Sequence, residues 1–256
     1  MEEKLPVLLS IPHGGTRIPS LISDFLMISQ RDRFEDGDAF TREIYGLKDD
    51  VWVQVEGEVA RAVVDLNRAP EDRPPANPDG VVKTQTCHGA RVYLPGREPD
   101  EQMTERLLAD YHQPFHRSIQ EALDQNPELA LALDCHSMEP VGPGIAPDPG
   151  QTRPRFCLGT RNGSTCPPET AHRLAACLRE AFNLEEEDVV MNQPFAGGYI
   201  TRKYGDGRVP WVQIEMNRNL YLSPPWFDAE SLTVQPERLR TLNRAFRQAL
   251  ISFFRS

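Results

Sequence analysis

The chain has 256 residues, enough for one domain with a full hydrophobic core or for two small domains. Its 38 acidic and 28 basic side chains give a formal net charge of -10, so it lacks the basic footprint expected for binding nucleic acid or an anionic membrane. No apolar run approaches the roughly 20 residues of a membrane span, and the first residues do not combine a positively charged start with an apolar segment, as a signal peptide does. We therefore expect a cytoplasmic protein, in which an anionic substrate needs local arginines.

Five cysteines are scattered along the chain, and their number is odd. No two of them form the CxxC pair that is typical of thiolate zinc sites. A disulfide framework and an all-thiolate metal site are therefore not expected. We interpret the cysteines as small buried or half-buried residues: Cys87, Cys135, Cys157, Cys166 and Cys177.

Strands and helices are predicted to alternate along the whole chain. This alternation predicts one α/β domain over residues 1–256, with a mostly parallel sheet that helices cover on both faces. Apolar runs of strand character lie at residues 6–11, 51–55, 59–66, 129–134, 155–159, 189–191 and 210–216. Helical spacing of apolar residues is clearest at residues 101–125, 167–182 and 236–254.

The first predicted strand is followed directly by a histidine. Pro12 stops the strand, His13 comes next, and Gly14 and Gly15 let the backbone turn closely around a ligand. Ligands of open α/β sheets bind outside the carboxyl ends of the strands, so His13 is a candidate metal ligand. The alternative is a loop histidine that bonds only to the backbone.

Two charged clusters come before the first long loop. Residues 35–43 are rich in acids and offer a carboxylate ligand, unless they form a helix N-terminus, where Asp is favoured by capping and by the helix dipole. Residues 61–68 are predicted to end a strand in charged side chains, and Arg68 is a planar, bidentate donor suited to carboxylates. The alternative is that Asp65 and Arg68 only brace the loop that follows.

The strand at 129–134 continues into Asp134, Cys135 and His136. Side chains alternate faces along a strand, so Asp134 and His136 share one face while Cys135 points into the core. A metal-binding histidine commonly has a carboxylate or carbonyl on its other nitrogen, although the spacing alone does not identify that partner. The alternative is a core histidine that is satisfied by hydrogen bonds.

The last predicted strand alternates in the same way. Gln213, Glu215 and Asn217 share one face, opposite to apolar residues, so Glu215 is presented on a polar face near the end of the strand. An edge strand facing solvent shows the same pattern. Arg218 follows and is a candidate anion clamp. Two histidines and an acid at strand ends together predict a zinc hydrolase.

Six short motifs, taken together and in order, resemble the N-formylglutamate amidohydrolase (N-formylglutamate deformylase) family. They run from residue 10 to about residue 221, so the likeness covers nearly the whole chain. The family resemblance implies a three-layer α/β/α sandwich around a central mixed, mostly parallel sheet, like that of the zinc carboxypeptidase-type hydrolases. The motifs are residues 10–15, 36–38, 64–68, 134–137, 197–205 and 213–215.

The same resemblance implies metal-dependent hydrolysis of the amide in an N-formyl or related N-acyl amino acid such as N-formyl-L-glutamate, as in histidine degradation. It implies one zinc ion per chain, bound by His13 and His136, with Asp38 as the third ligand. The family shows an aromatic residue after that aspartate, whereas this chain has Ala39, so Asp36 and Glu43 remain alternatives for the third ligand.

By the same resemblance Glu215 is the general base, and Arg68 is the catalytic arginine. Which arginine binds the substrate carboxylate and which stabilises the oxyanion stays open. The remaining residues implied by the resemblance bind the substrate, a small anionic N-acyl amino acid: Asn67, Gly198, Arg202 and Arg218.

Three rival functions remain. A cysteine amidase would pair Cys135 with His136, but adjacent strand residues point to opposite faces, which argues against a nucleophile–base hydrogen bond. A non-catalytic relative would keep the fold and the metal without turnover. A carboxypeptidase-like zinc peptidase would need an open groove, which the Pro-, Gly- and Asp-rich stretches 69–100 and 138–154, predicted to be lids or binding loops, would instead close.

Overall fold

A six-stranded sheet forms the centre of the computed structural model, which describes residues 3–144 and 146–255. The strand order is β2-β1-β3-β6-β4-β5. All neighbouring pairs are parallel except β4 with β6, so the sheet is mixed and mostly parallel, as expected. The six strands are β1 (Leu5–Ile11), β2 (Val51–Glu56), β3 (Leu131–Met138), β4 (Phe156–Gly159), β5 (Val189–Met191) and β6 (Trp211–Asn217).

Helices fill most of the connections between the strands, and two short strands pair outside the main sheet. Those two strands are β7 (Phe227–Asp228) and β8 (Thr233–Val234). Short 3-10 turns lie at Ser23–Phe25, Glu186–Asp188 and Arg218–Leu220. The α-helices are α1 (Gln30–Asp36), α2 (Thr41–Tyr45), α3 (Glu101–Leu107), α4 (Gln113–Gln125), α5 (Pro168–Phe182), α6 (Tyr199–Tyr204) and α7 (Pro236–Arg255).

The sheet has a hydrophobic core on each face. Leu9 and Leu133 belong to the core that contains α5 and α7, whereas Leu8 and Ala132 belong to the core that contains α4. Successive strand residues point to opposite faces, so these neighbours must separate into two cores. The result is a helix–sheet–helix sandwich of three layers, which confirms the predicted architecture.

One predicted strand is wrong. Residues 59–66 form no strand, because Val59 makes only an isolated bridge with Arg17 and the backbone then turns. The N–H groups of Val63 and Val64 both donate to the carbonyl of Ala60. The run is nevertheless buried and packs into the core that contains α4. A short apolar run is consistent with any buried segment, so periodicity does not distinguish a strand from a buried turn.

The helix predicted at 101–125 is present but not uniform. A π-helical turn at Leu108–His112 separates α3 from α4. The helices predicted at 167–182 and 236–254 match α5 and α7. Within residues 3–144 and 146–255, no helix has the length and apolar character needed to cross a membrane.

Candidate active site

Three buried side chains converge at the carboxyl ends of β1 and β3. His13 Nδ1 lies 3.2 Å from Asp38 Oδ2, and His136 Nδ1 lies 3.0 Å from the same oxygen. Pro12 and the end of β1 place His13, β3 itself carries His136, and Asp38 follows the end of α1. Their candidate ligand atoms all lie within 4.8 Å of one another. In the part of the chain that the structure describes, these three residues form the cluster suited to a metal.

The second nitrogen of each histidine meets another carboxylate. His13 Nε2 is 2.8 Å from Asp65 Oδ1, and His136 Nε2 is 3.0 Å from Asp134 Oδ2. Asp134 is in turn held by the hydroxyl of Ser10, which donates over 3.1 Å from β1. Carboxylates on the outer nitrogen fix the tautomer and the orientation of a metal-binding imidazole. Asp134 therefore stands where the shared face of β3 predicted.

A buried arginine holds the side chain of Asp38 in place. Arg218 Nη2 donates to Asp38 Oδ1 over 3.1 Å and to the carbonyl of Gly37 over 2.6 Å, and its Nε donates to Ser137 Oγ over 3.0 Å. Arg218 is buried and does not line the cavity beside the cluster. Its sequence-predicted contact with substrate stays a prediction, and its observed contacts hold the third member of the cluster.

Electrostatics favour charged forms for the acids of the cluster. Burial acts to raise the pKa of Asp38, but hydrogen bonds with His13 and His136 hold that pKa well below its ordinary value. Burial likewise opposes ionisation of Asp65, but its contacts with His13 and Arg61 outweigh burial, so the pKa of Asp65 is also lowered. Asp38 in the cluster and Asp65 beside it are therefore ionised carboxylates at neutral pH.

A cavity of about 330 Å³ opens beside the cluster. Such a volume lies at the lower end of the range for small-molecule sites. A segment of residues 194–198 forms one wall, and the polar face of β6 forms another. The lining residues are His13, Asp38, Arg61, Asp65, Asn67, Arg68, His136, Ser137, Pro194, Phe195, Ala196, Gly197, Gly198, Gln213 and Glu215.

Glu215 lies on that wall, opposite His136 in the pairing of β3 with β6. β6 is an interior strand, so the alternative of a solvent-facing edge strand does not apply. Burial raises the pKa of Glu215 to about 7. Gln213 Nε2 donates to Glu215 Oε1 over 2.8 Å and orients that carboxylate.

Gly198 closes the same wall. Its backbone N–H donates to Gln213 Oε1 over 2.6 Å, and a Cβ at this position would collide with the side-chain amide of Asn67. Asn67 Nδ2 lies 3.2 Å from His136 Nε2, and Asn67 Oδ1 accepts from the N–H of Ile200 over 2.8 Å. A larger residue at position 198 would therefore displace the Asn67 amide beside the start of α6.

Two arginines line the cavity, and they differ in the hydrogen bonds and ion pairs that they form with neighbouring residues. Arg68 Nη2 donates to Asp79 over 3.0 Å, and its guanidinium also lies near Asp65 and Asp72. Arg61 Nε donates to Asp65 and its Nη1 donates to the carbonyl of Asp36, each over 3.0 Å. Among the described residues, Nη2 of Arg61 therefore has no hydrogen-bond partner.

Other sequence-predicted residues lie outside the cavity lining. Arg202 is exposed on α6, with its guanidinium 5.7 Å from the ring centroid of Tyr199, and its role in substrate binding stays a prediction. Asp36 Oδ1 is 3.1 Å from Lys83 Nζ, and Glu43 lines a different cavity, so neither belongs to the cluster with the two histidines. Cys135 is buried in the core on the opposite face from His136, as predicted, and burial raises the pKa of its thiol.

The fold brings to the cavity three residues for which the sequence predicts no role in the site: Asp65, Arg61 and Gln213. Asp65 stands two residues before Asn67, and this shared segment is the signal that the sequence offers. Nothing local indicates that Asp65 reaches His13, 52 positions earlier in the chain.

The residues of the cluster fit a divalent metal ion. Two imidazole nitrogens and one carboxylate oxygen are a donor set that zinc accepts, and three protein ligands leave a position open in catalytic sites. The Nε2 atoms of the two histidines each contact a carboxylate, as is usual for metal-binding histidines. The fold and the site thus define an α/β protein with a buried candidate metal centre beside a small polar cavity.

Comparisons with known proteins name the family. The N-formylglutamate amidohydrolase family model matches residues 5–222, so the chain belongs to this family. N-formylglutamate deformylases from Pseudomonas putida and Pseudomonas aeruginosa are each 31% identical over 227 residues, which is 86% of this chain and 82% and 83% of theirs. The crystal structure of N-formylglutamate amidohydrolase from Ralstonia eutropha JMP134 superposes with a TM-score of 0.79 at 22% identity, covering 98% of this chain and 94% of that one. This similarity to a solved structure at 22% identity supports the fold of the chain alone.

Proposed function

We propose that this chain is a zinc-dependent hydrolase that cleaves the amide of an N-formyl amino acid such as N-formyl-L-glutamate, giving formate and the free amino acid. The proposal extends to related N-acyl amino acids. One observation carries it: two histidines and an aspartate converge beside a cavity whose facing wall holds a buried glutamate. The family membership and the identity to two deformylases support the same reaction.

His13, Asp38 and His136 would hold one zinc ion per chain. When bound, zinc polarises a carbonyl oxygen and lowers the pKa of a water molecule towards about 7. Glu215 takes the proton of the attacking water as general base and passes it to the nitrogen of the leaving amine. Gln213 keeps one carboxylate oxygen of Glu215 in place during both transfers.

The cavity also provides groups for the charges of the substrate. Asn67 and Arg68 bind the carboxylate of the amino acid, because an amide and a guanidinium suit a planar anion. Arg61 lines the cavity and stabilises the oxyanion that forms on the formyl oxygen. The volume of about 330 Å³ suits one amino acid with a small acyl group better than a longer peptide.

Neither nucleic acid nor a membrane is a partner in this proposal, since the formal net charge is -10. We also infer a cytoplasmic location, which is supported by five cysteines that are all free thiols in the structure.

The test is turnover by the zinc-loaded protein of a substrate panel. The panel holds N-formyl-L-glutamate, other N-formyl amino acids, N-acetyl-L-glutamate and an unblocked dipeptide, with release of formate or free amine as the readout. Hydrolysis of N-formyl amino acids supports the proposal. Cleavage of the dipeptide alone indicates a peptidase, and zinc binding without turnover of any panel member indicates a binding protein.

A further inference from the structure

Two buried histidines contact the backbone of a segment that lines the cavity, but they do not line the cavity themselves. His112 ends the π-helical turn, and His116 lies one helical turn later in α4. Their ring centroids are 4.3 Å apart, and the side chains are 2% and 5% exposed. Residues four apart on a helix share one face, so both rings project in the same direction.

That direction is the backbone of residues 66–68. His112 Nε2 is 2.9 Å from the carbonyl oxygen of Arg68, and His116 Nε2 is 2.9 Å from the carbonyl oxygen of Leu66. A carbonyl only accepts, so each Nε2 carries the hydrogen and donates. Nδ1 of His116 is then an acceptor, and it lies 3.0 Å from the hydroxyl of Tyr204.

The two acceptor carbonyls flank Asn67. The Asn67 side chain reaches His136 and α6, and the Arg68 side chain lines the cavity. Residues 66–68 belong to a segment without regular secondary structure, so no sheet ladder fixes their backbone. The two imidazoles donate to the carbonyls of Leu66 and Arg68, while Asp65 accepts from the N–H groups of Asn67 and Arg68.

Burial keeps both imidazoles neutral. Burial lowers the pKa of His112, and burial together with the nearby positive charge of Lys203 lowers the pKa of His116 to about 3. The pair therefore carries one donor and one acceptor per ring at neutral pH. A π-helical turn within an α-helix is rare and occurs frequently at functional sites, and here its last residue is His112, the first of the two donors.

We propose that His112 and His116 are positioning residues. They hold the backbone of residues 66–68 so that Asn67 and Arg68 bind the α-carboxylate of the substrate. This inference rests on the proposed function, in which Asn67 and Arg68 bind that carboxylate. The histidines themselves contact neither the metal cluster nor the cavity, so we expect their effect to fall mainly on recognition of the carboxylate.

The experiment uses two substrates that differ in one group, N-formyl-L-glutamate and its α-carboxamide, N-formyl-L-isoglutamine. His112→Phe and His116→Phe keep an aromatic ring and remove the donor. We expect each to raise KM for N-formyl-L-glutamate by about tenfold, the scale of one lost hydrogen bond, with little change in kcat. KM for N-formyl-L-isoglutamine should stay near the wild-type value.

Conservative variants provide the matched control. In His112→Gln and His116→Gln the amide nitrogen reaches the position of Nε2, so KM for N-formyl-L-glutamate should return close to the wild-type value. If a Phe variant does not fold, the Asn variant at the same position replaces it, because the shorter amide cannot reach the carbonyl. In an Arg68→Ala background, His112→Phe should add little further loss.

Three results would overturn the inference: equal losses on both substrates, an unchanged KM for N-formyl-L-glutamate, or a full additional loss in the Arg68→Ala background. Each presupposes that the wild-type protein hydrolyses N-formyl-L-glutamate. Absence of that wild-type turnover counts against the proposed function instead, so the two failures are distinguishable.

Discussion

Glu215 is the residue on which the proposed chemistry depends most directly. It lies opposite His136 on the cavity wall, and burial raises its pKa to about 7. Glu215→Gln keeps the size and hydrogen-bonding capacity of the side chain and removes its basicity. We expect turnover of N-formyl-L-glutamate to fall by roughly 10²–10⁴, the usual contribution of acid–base catalysis, with metal content unchanged.

The same residue predicts a pH dependence. A base acts only when it is unprotonated, so wild-type turnover should rise as pH increases through about 7, and this acid limb should be missing in Glu215→Gln. Near wild-type turnover in the variant would place the base elsewhere. Loss of metal from the variant would make Glu215 a ligand and would require a new role for Asp38.

The two histidines of the cluster make a separate prediction about metal content. His13→Ala and His136→Ala each remove a nitrogen from the cluster, so elemental analysis of the purified variants should show loss of the metal. His172→Ala, at an exposed position on α5, is the control and should keep it. A variant that folds and retains the full metal content excludes that histidine from the site.

At the scale of elements, the two long loops are tied to each other. His88 of loop 69–100 lies 3.0 Å from Glu139 of loop 138–154. Hydrogen bonds with Cys87 and with Glu139 raise the pKa of His88 to about 10. The folded-state pKa thus exceeds the ordinary value of about 6.5, so the stabilisation is fully present below pH 6.5 and is lost as pH rises toward 10.

His88→Gln tests this tie. The variant should be less stable than the wild type by at most about 1 kcal/mol near pH 6, the range for partly exposed ion pairs, and the difference should vanish above about pH 10. Urea unfolding at a series of pH values measures it, with His172→Gln as the control. A difference that does not depend on pH would show that the imidazolium is not what joins the loops.

At the scale of the whole molecule, loop 69–100 is part of the core rather than only a cover for the site. It buries Val81, Val82 and Val92 in the core that contains α4. It also buries Lys83 completely, with Nζ 3.1 Å from Asp36 and 2.6 Å from Asp79. Segments predicted as lids from composition therefore also supply apolar packing and a counter-charge.

Lys83→Met keeps a side chain of similar length and removes the charge, leaving Asp36 and Asp79 without their ion pairs to Lys83. Breaking a buried ion pair from one side typically costs about 3–5 kcal/mol, so we expect a loss of that order in the free energy of unfolding. Lys48→Met is the matched control, because Lys48 is 66% exposed in its pair with Glu56 and should contribute under about 1 kcal/mol. Equal losses in the two variants would contradict a structural role for the buried cluster.

Features that depend on local spacing could be predicted before the fold was known. Period-two alternation placed Asp134 and His136 on one face and Cys135 in the core, because a strand fixes the direction of each side chain. Helical periodicity located α7, and strand ends marked His13 and Glu215 as site candidates. These predictions needed only neighbours in the chain.

Contacts between groups that are distant in the chain follow from the three-dimensional packing alone. Asp38 contacts His136 across 98 positions, and Arg218 reaches Asp38 across 180 positions. Arg218 follows a polar strand face, and nothing local indicates that packing brings its guanidinium to Asp38, while its contact with substrate stays a prediction. Likewise the apolar run at 59–66 is buried as turns, because local periodicity records that a segment is buried but not which groups satisfy its backbone.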